Sequence, residues 1–186
     1  MRERLLPAYT PDELKRLYAV PHDHRHWKDH LIRADVTIAI GQWMYDKGQI
    51  ADLSCGNGHI AKEIAHKFGI EPHLGDFAPG YPITGPLEET IDNLSHVGMY
   101  ICSETIEHLD DPDAVLRQIY SKADTLILST PIGETVGDGN PEHYWGWDTE
   151  GVGEMLFNAH WQPRVMNRLE LKEYQYDYQI WGCCKW

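Results

Sequence analysis

What this chain of 186 residues lacks already narrows its possible functions. No run approaches the ~18–20 apolar residues of a membrane-crossing helix, and Met1-Arg2-Glu3-Arg4 leads into no signal-peptide core. No membrane partner is therefore expected, and a cytoplasmic location is. No C-x-x-C pair occurs among the four cysteines, since Cys55 and Cys102 fall at expected strand ends and Cys183 adjoins Cys184. That argues against a zinc site of cysteines alone and for reduced thiols. Positive charge is scarce: 16 Lys and Arg face 29 Asp and Glu, a formal net charge of −13. Such a field opposes non-specific binding to phosphate backbones, and Lys62 with Lys67 or Arg164 with Arg168 are too sparse for a basic patch. No internal repeat or linker divides the chain, so one domain over residues 1–186 is expected, long enough to bury a core.

What is present is an alternation of strand and helix patterns. Helical periodicity covers residues 12–17 and 27–45, with Leu31, Ala34, Ile38 and Ala39 on one side, so residues 1–48 read as an N-terminal helical lid over an α/β core at 49–186. In that core, residues 49–54 read as a buried strand and 59–68 as a helix presenting Ile60, Ala61, Ile64, Ala65 and Phe68, closed by Gly69. A short strand is expected over 71–76, another over 97–102, and a helix over 112–123 with Asp111 as N-cap and Pro112 in its first turn. Residues 125–129 are nearly all apolar, as in a parallel strand covered on both faces. A polar loop over 131–148 is long enough to suspect function. Thr149 then caps a helix with Val152, Met155, Leu156 and Ala159 inward, and 164–171 with 174–181 alternate like a hairpin. The order implies a three-layer α/β sandwich with a mostly parallel sheet and a C-terminal antiparallel hairpin.

The most telling stretch is Ile50-Ala51-Asp52-Leu53-Ser54-Cys55-Gly56-Asn57-Gly58-His59-Ile60-Ala61. An apolar run ends in an acid, passes through a two-glycine turn and enters a helix. Glycines admit a ligand close to the main chain, and the unpaired N–H groups of the helix start face it. Two ligand classes fit. Gly56-Asn57-Gly58-His59-Ile60-Ala61 satisfies the dinucleotide fingerprint, and Asp76 follows about 20 residues on, where a ribose-binding acid belongs. Asp52, however, would repel a pyrophosphate, whereas a ligand carrying an ammonium group needs it.

Asp52-Leu53-Ser54-Cys55-Gly56-Asn57-Gly58 resembles the first motif, D/E-x-G-x-G-x-G, of class I S-adenosylmethionine-dependent methyltransferases. Leu74-Gly75-Asp76-Phe77 resembles their second-strand end, and Gly85-Pro86-Leu87-Glu88 sits where the adenine-edge segment falls. Cys102-Ser103-Glu104-Thr105-Ile106-Glu107-His108-Leu109-Asp110-Asp111-Pro112 resembles the fourth-strand segment S-x-x-I/L-E-H-L-x-D-P of the ubiquinone/menaquinone-type members, and Leu126-Ile127-Leu128-Ser129-Thr130-Pro131 their fifth strand. The likeness spans roughly residues 49–171. Two departures stand out. Ser54 replaces the first glycine and must take a turn that needs no positive φ. The interval from Asp76 to Val97 is too short for a full helix, a third strand and their loops, so a Rossmann-like sandwich trimmed between its second and fourth strands is expected.

The resemblance implies S-adenosylmethionine as cofactor and a small-molecule acceptor, with O-, N- or C-methylation open. It implies that Asp52 serves the cofactor's amine, with Ser54, Gly56 and Gly58 forming the cradle. Asp76 would take the ribose hydroxyls and Phe77, Leu87 and Glu88 the adenine side, with Ser103 and Glu104 as further cofactor-binding residues. Arg33 resembles in placement an arginine that some members use for the methionine carboxylate. Each has a plainer reading: Asp52 as a turn cap, Phe77 as a core plug, Arg33 as a solvated helix arginine. His108 and His143 are the candidate bases toward an acceptor hydroxyl, or they only shape the pocket. The loop bearing Trp145 and Trp147 would lie over the acceptor, unless those rings belong to the core. His26 and His30 share a helix face at i, i+4 and could hold a metal, but a polar lid facing water is the plainer reading, and no metal site is expected. The alternatives to methyl transfer are a non-catalytic binding module of the same fold and an NAD(P)-dependent oxidoreductase. Nucleic acid is disfavoured as acceptor by the acidic charge and by the absence of an N/D-P-P-Y/F/W motif.

Overall fold

The computed structural model describes every residue except 7–8, 21–25, 138, 172 and 175, and every side chain among them except those at 11 and 15. Strands β1 (Arg2–Arg4), β2 (Ile50–Asp52), β3 (His73–Asp76), β4 (Ile83–Thr84), β5 (Val97–Ser103), β6 (Ala123–Ile132), β7 (Trp145–Trp147), β8 (Trp161–Leu169) and β9 (Asp177–Lys185) alternate with helices α1 (Pro11–Leu17), α2 (Lys28–Met44), α3 (His59–Lys67), α4 (Leu87–Thr90), α5 (Pro112–Lys122) and α6 (Thr149–Asn158). Seven strands form one sheet in the order β4-β3-β2-β5-β6-β9-β8. The five from β4 to β6 are mutually parallel, and β9 and β8 close the edge antiparallel. This is the expected α/β architecture with its terminal hairpin.

The two-residue period of the strands assigns the layers. Ile50, Met99, Ile101 and Ile127 point to one face and pack with Ala61, Ile64 and Ala65 of α3 and with Ile38, Ile40 and Met44 of α2. Their neighbours Ala51, Tyr100, Cys102, Leu126 and Leu128 point to the other, against α4, α5 and α6. The shortened interval before β5 holds the two-residue β4, the single turn of α4 and a 3-10 turn at Ile91–Asn93. One small strand and about two helical turns thus fill the trimmed space.

Four expectations are corrected. On α2 the side facing the molecule is Asp29, Arg33, Ala34, Thr37 and Gly41, while Leu31 and Ala39 are exposed. The helix lies against β6, β9 and α3, and a Cβ on Gly41 would stand 2.4 Å from Ile64 Cδ1, so any larger residue there would have to displace the end of that side chain. The N-terminal segment is not wholly helical, because Arg2–Arg4 pairs antiparallel with Trp145–Trp147. Asp148, not Thr149, caps α6, its carboxylate accepting from Gly151 N at 2.8 Å. Finally, β6 runs on through Pro131. Its pairing with β5 ends at Ser103 and Ser129, so Pro131 has a strand partner, Tyr178 of β9, on one side only and its missing N–H is tolerated. Among the described residues no helix is long and apolar enough to cross a membrane.

Candidate functional site

The carboxyl ends of β3, β2, β5 and β6 open into a cavity of about 1000 Å³, the place where open parallel sheets bind ligands. Every residue singled out from the sequence for cofactor or base lines it except Gly58. Gly58 acts from behind: it takes φ +74 as N-cap of α3, and a Cβ there would meet Leu74 Cδ1 at 3.0 Å. Asn57 Oδ1 accepts from His59 N at 2.9 Å, so the Asn57 side chain caps the first N–H of this helix from just before the N-cap glycine.

The turn is held by its acids. Asp52 Oδ1 accepts from Ser54 N at 3.1 Å. Asp76 Oδ2 accepts from Gly56 N at 2.7 Å, and its Oδ1 from Ala78 N at 2.9 Å. The Tyr81 hydroxyl donates to Gly56 O at 2.7 Å, so the glycine is gripped from both sides. Ser54 needs no positive φ, which only Glu104 and His160 adopt among described non-glycine residues. Its hydroxyl pairs instead with Thr105 Oγ1 at 2.8 Å. Asp52 is 3% exposed. Burial pushes its carboxyl up to about 7, with Asp76 adding to the shift and the Ser54 N–H opposing it. Phe77 is half-buried in the wall after β3, Leu87 is buried in the core cluster of α4, and Glu88 is exposed at the rim.

The opposite end is built from side chains of distant segments. Arg33 is 4% exposed, so it is no solvated helix arginine. Its Nη1 donates to Ser103 Oγ and, at 3.1 Å, to Ser129 Oγ; its Nε makes no hydrogen bond and stands 3.8 Å from Glu104 Oε1. Glu104 takes φ +52, and Ser129 Oγ donates to its Oε1 at 3.3 Å. Burial raises the Glu104 carboxyl, and Arg33 works against that. Glu107 is fully buried. Thr130 Oγ1 donates to its Oε2 at 3.1 Å, its Oε1 has no partner, and burial with the nearby Glu104 charge pushes it up to about 8.

His108 and His143 stack edge to face with ring centroids 4.7 Å apart. His143 is buried, and its Nδ1 lies 2.6 Å from Glu134 Oε2. Burial disfavours the imidazolium, but the Glu134 hydrogen bond and the Glu107 and Glu104 charges outweigh it and raise the His143 pKa. His108 Nδ1 lies 2.9 Å from the Tyr18 hydroxyl and 3.3 Å from Glu142 O. Trp145 and Trp147 belong to β7, with Trp147 in the core and Trp145 packed on it, so the plainer reading holds for both rings. The i, i+4 pair does not form. His26 precedes the helix, which starts at Lys28, and His30 sits between the Trp27 and Tyr178 rings, its pKa pulled down to about 4 by burial and Arg33. His22 and His24 lie outside the described residues.

Sequence reasoning passed over Tyr18, Tyr81, Glu107, Ser129, Thr130 and Glu134. Glu107 carried a signal as the neighbour of His108 inside the fourth-strand segment, and Ser129 and Thr130 lay inside the fifth-strand segment without being singled out. The others are recruited by tertiary contact.

No family model matches the chain, and no curated protein sequence does. Solved structures do. The chain superposes on magnesium protoporphyrin IX methyltransferase of Synechocystis with bound S-adenosylhomocysteine at a TM-score of 0.66 and 15% identity, covering 94% of each chain. On the 1,6-didemethyltoxoflavin N1-methyltransferase of Burkholderia thailandensis the TM-score is 0.64 at 14% identity, over 89% of this chain and 92% of that one. On the [4+2]-cyclase SpnF it is 0.66 at 10% identity, over 97% of both. At such identities the likeness is one of fold: the chain has the Rossmann-like sandwich of S-adenosylmethionine-dependent methyltransferases.

Proposed function

We propose that this chain is an enzyme that transfers a methyl group from S-adenosylmethionine to a small-molecule acceptor, in the manner of the ubiquinone/menaquinone-type methyltransferases its motifs resemble. One observation carries the reading. Asp52 and Asp76 end adjacent parallel strands and face one cavity across a glycine turn that Asp76 itself holds in place.

The residues suit the cofactor. Buried Asp52, raised to about 7, is a carboxyl waiting for a cation, and an ammonium group answers it where a dinucleotide pyrophosphate would not. Asp76 is oriented by two backbone N–H groups, which leave its carboxylate lone pairs for a ribose diol. Phe77, Leu87 and Glu88 flank the adenine side, Ser103 and Glu104 wall the cavity beyond the cradle, and Arg33, with its Nε unbonded, answers the methionine carboxylate. Bound there, the sulfonium supplies an electrophilic methyl, so the chain has mainly to hold donor and nucleophile in line. His108 and His143 stand at the acceptor end and deal with the proton of an acceptor hydroxyl. The N-terminal helices cover that end, with Tyr18, Trp27 and Leu31 in its wall.

Calorimetry with S-adenosylhomocysteine tests the reading. A binding isotherm is expected that Asp52→Ala and Asp76→Ala both weaken; a folded protein that releases no heat, or variants that bind like the wild type, overturns it.

A further inference from the structure

We propose that the β5–β6 end of the cavity binds an organic cation, an alkylammonium or amidinium group, on the carboxyl of Glu107. Glu107 is fully buried and forms part of the cavity wall. Thr130 Oγ1 donates to its Oε2 at 3.1 Å, and Thr130 is not in that wall, so it holds the carboxyl from behind. The other oxygen, Oε1, has no partner. A buried carboxyl oxygen without a donor is costly, and a ligand N–H aimed at it removes the cost.

Charge decides between a cationic and a neutral donor. Asp29, Glu104, Glu107 and Glu142 all line this end. Asp29 and Glu142 accept tyrosine hydroxyls, from Tyr178 at 3.2 Å and from Tyr18 at 2.7 Å, and a hydroxyl leaves their charge uncompensated. Arg33 is taken up by Glu104, 3.8 Å away, and by the hydroxyls of Ser103 and Ser129. Arg4, at the rim, is bonded to Asp110. Behind the wall, Glu134 holds His143 at 2.6 Å. Among the described residues, carboxyls thus outnumber guanidinium and imidazolium groups around Glu107.

The titration of the groups reflects the same field. Burial and then the Glu104 charge raise Glu107. Burial disfavours the His143 imidazolium, yet Glu134, Glu107 and Glu104 together raise its pKa. A neutral amide or hydroxyl would satisfy Oε1 and leave this field as it is, whereas a cation answers both. Tyr18 and Tyr176 add ring surface to the wall beside His108 and His143, and ring faces attract organic cations. The site rests on these contacts alone; that its occupant is the methyl acceptor rests on the methyl-transfer reading. A protonated nitrogen has no lone pair to methylate, so seated there it is the acceptor's handle, and the nucleophile is a second group of the same molecule.

Benzylamine and benzamidine are the probes, with benzyl alcohol as the neutral counterpart and benzoate as the anionic one. Each is titrated calorimetrically into the full chain near neutral pH, with S-adenosylhomocysteine at saturation and again without it. EDTA is present throughout, so that no metal ion mediates binding. The two cations should bind saturably, at least about tenfold more tightly than benzyl alcohol, and benzoate should give no isotherm. The isosteric Glu107→Gln should weaken the cations about 10–100-fold, as for the loss of one hydrogen bond to a charged group. Circular dichroism checks that the variant is folded, and the wild-type comparison stands whether or not it is. Cations that do not bind, or that bind no better than the alcohol, overturn the proposal, as does a preference for cations that survives in folded Glu107→Gln. The two readings fail separately. A Glu107-dependent preference without S-adenosylhomocysteine binding keeps the cation site and removes the methyl-transfer reading, and S-adenosylhomocysteine binding without that preference removes the cation site alone.

Discussion

The two ends of the cavity are built on different principles. At the β2–β3 end the working groups are main chain: the Gly56 N–H sits on Asp76, its carbonyl takes the Tyr81 hydroxyl, and Asp52 holds Ser54 N. At the β5–β6 end they are side chains drawn from α2, from the segment after β5, from β6 and from the loop before β7, and they hold one another. A backbone cradle constrains residue type at each position through φ and close approach. A side-chain network constrains only the sum of charge and hydrogen bonding. The first suits a ligand with a constant shape, the second a ligand that differs between enzymes of one fold.

The hardest blow to this contrast is Arg33→Met. At the side-chain end, removing the Arg33 guanidinium beside buried Glu104 and the two serines takes away the cation that stands 3.8 Å from that carboxyl. Breaking such a buried pair costs about 3–5 kcal/mol, so the urea midpoint should fall by an amount that threatens the fold. A loss below about 1 kcal/mol would mean that the network there is slack, and the contrast would go. Asp76→Ala attacks the other end. It removes two N–H···O⁻ bonds and the proposed ribose partner together, and about a hundredfold loss of S-adenosylhomocysteine affinity is expected, with a smaller loss for Asp76→Asn. If the losses were equal, the negative charge would matter more than the grip on Gly56.

What the sequence revealed follows the same line. The cradle was legible because only glycine takes φ +74 at residue 58 without strain, and because acids at two strand ends stand at a fixed offset from it. Helix α5 was legible too, its inward Leu116 and Ile119 being apolar and its cap, Asp111, local. Helix α2 was misread because hydropathy points to Leu31 and Ala39, whereas the fold turns Arg33 and Thr37 inward to serve a polar cavity. Glu134 behind His143 and Tyr18 behind His108 carried no sequence signal, since tertiary contact alone brings them together. The β1–β7 pairing joins opposite parts of the chain and was equally silent.

A gentler test uses acidity at the cradle. In the free protein Asp52 is raised to about 7. A ligand ammonium favours the ionised carboxylate, so at high pH binding meets a ready charge, and below the free-state pKa it must first expel a proton. Affinity for S-adenosylhomocysteine should therefore fall as pH falls, about tenfold between about pH 7.5 and about pH 6. Asp52→Asn should bind more weakly at the upper end and show a flat profile. A wild-type profile that is equally flat would separate Asp52 from the ligand's amine.

The smallest effect lies where the two ends meet. Ser54 belongs to the glycine turn, and its hydroxyl pairs with Thr105 Oγ1, which in turn donates to Ser103 O at 3.1 Å. Where the family pattern has a glycine, this chain has a hydroxyl reaching across to the segment that carries Glu104, Glu107 and His108. One neutral, part-buried hydrogen bond contributes about 0.5–1.5 kcal/mol. Ser54→Ala and Thr105→Val should each destabilise by about that much, and the double variant by less than their sum, with an interaction energy of about 0.5–1 kcal/mol in a double-mutant cycle on the urea midpoints. S-adenosylhomocysteine affinity in Ser54→Ala should stay within about threefold of the wild type, because the grip of Asp76 on Gly56 does not pass through Ser54. Strict additivity would mean that the cradle and the side-chain network are built independently. Coupling confined to stability, with ligand affinity untouched, would mean that Ser54 fixes how the two ends sit together while each keeps its own chemistry.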